Sequence, residues 1–115
     1  MFIAEPEIQA EIRLHLDERP GGIYVTQTQP TFLEIMDAEA SKGRGLKFIM
    51  DHLALKKEEV IAFGDEENDL PMFTAAGFSA APSGAKENVK AAANLVIGSN
   101  AEDGVAAFLE DFFAL

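Results

Sequence analysis

Two short stretches carry the residue types from which a reactive site could be built. In "VIAFGDEENDLPM" (60–72), four mostly apolar residues lead through Gly64 into Asp65, Glu66, Glu67, Asn68 and Asp69. A carboxylate just beyond a strand end is a good hard-oxygen ligand for Mg²⁺, and a cation there would relieve the mutual repulsion of four acids. The same acids also suit the first turn of a helix, where each favours the dipole by about 0.3–1 kcal/mol. In "ASKGRGL" (40–46), Lys42 stands at a helix start beside exposed N–H groups that suit a phosphate. Ser41, Gly43 and Gly45 let a bulky anion approach the backbone. Taken alone, Lys42 reads sooner as a solvated surface lysine. Neither stretch is a Walker loop or an EF-hand, whose spacings are absent. Together they are the parts needed to handle Mg²⁺ and phosphate, because metal and lysine neutralise charge on a phosphoryl group.

The elements around them follow from periodicity. Residues 1–4 read as a short strand, and Glu5-Pro6 opens a helix with Ile8, Ile12 and Leu16 on one face. "RPGG" at 19–22 is a stop signal. "IYVTQT" (23–28) and "TFLEIM" (31–36) read as strands, giving β-α-β-β with one wet side. The style changes near Ala38. Ser41 is a candidate N-cap for a helix with Leu46, Ile49, Met50 and Leu53 on one side. "VIAF", "FSAA" and "LVI" read as buried strands, alternating with helices over "NDLPMFTAA", "AKENVKAAA" and "GSNAEDGVAAFLEDFFAL". Gly77 is expected as a C-cap, Ser99 and Glu102 as a capping box, and Val105, Phe108, Leu109 and Phe112 as an apolar stripe. Strands alternating with helices argue for an α/β fold with a parallel sheet.

Composition narrows the class. The 115 residues carry a net charge of −11, which disfavours binding to a nucleic acid backbone. There is no cysteine, so disulfides and thiolate zinc sites are excluded. No apolar run approaches the roughly 20 residues of a membrane helix. The opening "MFIAEPEIQAE" lacks a basic region of the signal-peptide kind, so a cytoplasmic location is expected.

From Glu39 onward the chain resembles the C-terminal part of a haloacid dehalogenase (HAD) superfamily phosphatase of the Cof type. "EIMDAEASKG" is similar to the family's re-entry from cap to core, "GDEENDLPM" to its fourth motif, GDxxND with an apolar pair, and "GSNAEDGVAAFLE" to its last loop and helix. The earlier residues look like the second half of the α/β cap. The resemblance implies a partial cap over 1–37 and the C-terminal half of a HAD-like, Rossmann-like core over 38–115. It implies that Lys42 holds the phosphoryl group and the nucleophile's charge, that Asp65 coordinates Mg²⁺, that Asn68 contacts substrate phosphate and that Asp69 orients the lysine or a metal-bound water. The substrate class implied is a small phosphorylated metabolite such as a sugar phosphate, hydrolysed through an aspartyl-phosphate.

The family's DxDGT nucleophile motif and its second-motif Ser or Thr do not occur in these 115 residues, and "AAPSGA" at 80–85 stands where the family often has Ala-Met-Gly-Asn-Ala. The chain is therefore expected to begin inside the cap and to be inactive alone. Without the DxDGT strand beside it, "VIAF" would be an open apolar edge. Self-association by swapping or sheet extension is expected, or else origin from a longer chain. The competing reading is a non-catalytic oligomeric α/β module with weak metal or phosphate binding. A receiver-like phosphoacceptor domain fits worse, since its lysine follows an acceptor aspartate on a central strand.

Overall fold

The β-branched and aromatic residues at 23–29 and 32–37 form the longest strand pair of the molecule. In the computed structural model, which describes residues 1–17 and 21–115, β2 (Ile23–Gln29) and β3 (Phe32–Asp37) run antiparallel with Val25 opposite Ile35 and Gln27 opposite Leu33. The register slips between Gln27 and Gln29, where the strands enter their turn. β1 (Phe2–Ile3) joins the far side of β3, so the order is β1-β3-β2 and β2 is an outer strand. The predicted stop at 19–22 lies partly outside the described residues. Gly21 and Gly22 both take positive φ, which residues with a Cβ rarely adopt.

Helix α1 (Pro6–Asp17) forms where expected, but its buried face differs. Ile8 is 52% exposed, and the buried residue is Gln9, at 3%. Its amide donates to the carbonyls of Ala4 (2.7 Å) and Pro30 (3.0 Å), and its Oε1 accepts from Gln27 Nε2 (3.0 Å). Polar fastening to the ends of the sheet therefore decides the helix orientation.

The second sheet is parallel, with order β4-β5-β6 over β4 (Ile61–Phe63), β5 (Phe78–Pro82) and β6 (Leu95–Ile97). α3 (Leu70–Ala75) and α4 (Glu87–Ala92) are the crossovers, and α2 (Lys42–Leu53) packs against α3. One face gathers Ala62, Phe73, Ala76, Ala81 and Val89 with Leu46 of α2. The other carries Phe63 and Phe78, which meet Phe108 of α5 (Gly104–Phe113) at ring separations of 5.7 and 6.2 Å. Alternation along short strands thus puts small alanines under three helices and aromatics under the last one. β4 stands at the outside of this sheet. No described helix is long and apolar enough to cross a membrane.

Three local expectations are corrected. On α2, Ile49 and Leu53 are exposed, and the buried line is Gly43, Leu46 and Met50, because Gly43 is pressed against Pro71 of α3. Gly77 is no left-handed cap: α3 ends at Ala75 with Ala76 extended, and a Cβ on Gly77 would strike the Lys57 carbonyl. The final helix begins only at Gly104, after a 3₁₀ turn at Asn100–Glu102 and a left-handed Asp103. Ser99 Oγ donates to Glu102 Oε2 at 2.7 Å rather than capping that helix.

Candidate functional site

The site forms where β4 delivers the chain to Gly64. The loop after it is closed by its own last residue: Asp69 Oδ2 accepts from the amides of Asp65 (3.0 Å) and Glu66 (3.1 Å). The approach is so close that a Cβ on Gly64 would overlap the Asp69 side chain, which explains the glycine. Asp69 is 4% exposed. Its second oxygen, Oδ1, takes Lys42 Nζ at 2.5 Å. Lys42 is the first residue of α2, held there by Ser41, whose Oγ accepts from Arg44 N at 3.2 Å. A cation at that position opposes the helix dipole, and the buried carboxylate supplies the countercharge. The Lys42 side chain is still 49% exposed, so its ammonium can meet an incoming anion.

The other acids do not form a bare negative cluster. Glu66 lies 2.6 Å from Lys86 Nζ. Glu67 receives Arg13 Nη2 (3.0 Å), the Gln27 amide (3.3 Å) and Asn88 Nδ2 (3.4 Å). Asp65 alone of the four has an exposed side chain without a partner among the described residues. Its main chain is fixed on both sides, by Asp69 and by the Lys86 amide, which donates to its carbonyl at 3.3 Å. Asn68 sits in the same turn, and its Oδ1 is buried without a hydrogen-bond partner.

Lys42 and Asp69 therefore meet side chain to side chain, Asp65 is tied to Asp69 through its amide, and Asn68 holds an unfilled acceptor one residue away. Sequence spacing did not reveal the basic side chains Lys86 and Arg13, which neutralise much of the loop. Arg13 lies 54 positions from Glu67, and nothing local signals the pairing.

As a metal site the loop offers one free carboxylate. Among the described residues no three His, Asp or Glu side chains lie close enough to hold an ion. Asp65 fits one position in the sphere of a hard cation that keeps most of its waters. A hollow of about 190 Å³ opens beside it, lined by Phe63, Gly64, Asp65, Pro82, Asn100 and Val105. A larger groove of about 690 Å³ separates β2 from α2 and α3, and its walls include neither Lys42 nor Asp65 nor Asp69. Of the three, the smaller hollow takes in Asp65 alone.

The family model for haloacid dehalogenase-like hydrolases matches residues 1–109. A candidate phosphatase of Haemophilus influenzae is 39% identical over 97% of this chain. The 5-amino-6-(5-phospho-D-ribitylamino)uracil phosphatase YitU of Bacillus subtilis is 42% identical over 72% of it. The solved structure of the HAD subclass IIB sugar phosphatase BT4131 superposes on 99% of it with a TM-score of 0.84 and 31% identity. The chain spans 43%, 31% and 42% of the lengths of these three proteins. The parallel sheet, its crossovers and these matches agree: the chain belongs to the haloacid dehalogenase-like hydrolases, on their Cof-type, subclass IIB branch.

Proposed function

We propose that this chain carries the lysine and metal-facing half of a Mg²⁺-dependent phosphatase site for small phosphorylated metabolites. The observation that carries the reading is the Lys42–Asp69 pair at 2.5 Å, set in the loop whose one unpaired carboxylate is Asp65. The phosphatases among the relatives support the substrate class. Lys42 takes the charge of the phosphoryl oxygens, and Asp69, buried and fixed by two amides, positions it. Asn68 contacts the substrate phosphate. Asp65 holds Mg²⁺, which when bound supplies charge neutralisation at the phosphoryl oxygens. No residue of the chain is assigned as nucleophile, so no covalent step is assigned to it. The chain alone is expected to bind and not to turn over.

One observation favours a second reading, a non-catalytic self-associating module: among the described residues no strand pairs with the outer side of β4. Both readings are tested by titrating inorganic phosphate into the chain in calorimetry with and without Mg²⁺, beside hydrolysis of para-nitrophenyl phosphate. Weak phosphate binding that needs Mg²⁺ and is lost in Lys42→Met and in Asp65→Asn is expected, with no turnover above that of Asp65→Asn. Binding indifferent to both substitutions, or turnover that survives Asp65→Asn, would overturn the assignment.

A further inference from the structure

An outer strand leaves the N–H and C=O of every second residue unpaired along its free side. At Gln27 of β2 both groups are taken, and by side chains of the parallel unit. The Gln27 amide donates to Glu67 Oε2 at 3.3 Å, and the Gln27 carbonyl accepts from Lys86 Nζ at 3.2 Å. The polarities match: a carboxylate faces the donor and an ammonium faces the acceptor. Each side chain is braced. Arg13 and Asn88 hold Glu67, and Glu66 lies against Lys86. Glu66 and Glu67 belong to the loop that Asp69 closes and to which Lys42 is paired.

We propose that Glu67 and Lys86 form a two-sided latch on the main chain of Gln27, which sets the position of the antiparallel unit over the loop at 64–69. They are positioning residues: they reach the loop chemistry only through where they hold β2. The covalent link between the two units is the short exposed turn from Ala38 to Ala40, which lies on the far side of Asp37 from the latch. A groove of about 690 Å³ lies between β2 and the helices beside the latch. Charge-assisted hydrogen bonds are about twice as strong as neutral ones, which lets a few of them decide the matter. The Arg13–Glu67 and Lys86–Glu66 pairs are only partly exposed, so salt weakens the latch without abolishing it at once. Release would widen the groove and carry Arg13 away from the loop.

The chain has no cysteine, so spin labels can be placed at Glu7→Cys on α1 and Glu110→Cys on α5, both exposed, without background. Pulsed dipolar spectroscopy should give one narrow distance distribution, which broadens and lengthens in Glu67→Ala and in Lys86→Met. Hydrogen exchange at the Gln27 amide should accelerate at least about tenfold in Glu67→Ala, while amides of β5 keep their protection. Glu67→Gln keeps an acceptor for that amide and should restore slow exchange, which a merely structural residue would not show. Molar salt should shift the unmodified chain in the direction of the variants. Should Glu67→Ala not fold, Lys86→Met and the salt series decide the matter. Distances unchanged in the variants, or exchange at Gln27 no faster than before, would overturn the latch.

Discussion

A lysine at the first position of a helix sits against the positive end of the dipole, and an aspartate 4% exposed is largely removed from water. Each is unfavourable alone and the pair is not. The asymmetry between the partners sets the expected result of breaking it. Asp69 also closes the loop through two amides, so Asp69→Ala leaves two N–H groups and an ammonium without partners and should cost about 2–4 kcal/mol. Lys42→Met leaves the buried Asp69 carboxylate without its cation but still held by two amides, so it should cost less, about 1–2 kcal/mol. Urea unfolding of the two variants checks the ordering. Equal losses would mean that the ion pair, and not the loop closure, is what Asp69 chiefly provides. The family resemblance named Lys42, Asp65, Asn68 and Asp69 as a group, and the structure pairs Lys42 with Asp69 and ties Asp65 to Asp69 through its amide. Gly64 was legible as a tight turn, but not that its missing Cβ makes room for the Asp69 side chain.

Elements were legible wherever a short period ran without interruption: the six expected strands and five expected helices all occur among the described residues, although the last helix begins only at Gly104. Which face each helix buries was not. On α1 Ile8 is exposed and Ile12 and Leu16 are only partly buried, because one amide, that of Gln9, meets both ends of the adjoining strands. A period counts hydrophobicity and is blind to a buried polar side chain that finds partners far along the chain. On α2, Gly43 lets the helix approach Pro71, and that contact turns Ile49 and Leu53 outward. The α1 account has a direct consequence. Gln9→Ala should lower stability by about 1–3 kcal/mol in thermal or urea unfolding, although alanine is the better helix former, because the Ala4 and Pro30 carbonyls lose a donor. A neutral or stabilising result would mean that the apolar stripe holds the helix after all.

At the scale of the whole molecule, two units were legible separately, but how they meet was not, since the contacts join Arg13 to Glu67 and Gln27 to Lys86 across long stretches of sequence. The outer side of β4 carries no further strand among the described residues. Parallel sheets are ordinarily covered on both faces and flanked by further strands, and here the outer strand is the apolar "IAF". Phe48, Ile49 and Leu53 of α2 and Phe112 and Phe113 of α5 are also exposed. Against association stands the net charge of −11, whose repulsion reaches about 10 Å at 0.1 M salt and shortens as salt rises. Light scattering on a sizing column should therefore show a mass that grows with protein concentration and with salt. Ile61→Lys, which puts a charge on the outer strand, should return it toward the monomer. The salt response has the opposite structural sense from that of the Gln27 latch, which salt loosens. A distance measured within one chain and a mass measured on the assembly therefore separate the two effects. A monomer at every salt and concentration would show that β4, though unpaired, is protected by the charge around it, and would remove self-association from the account of this chain.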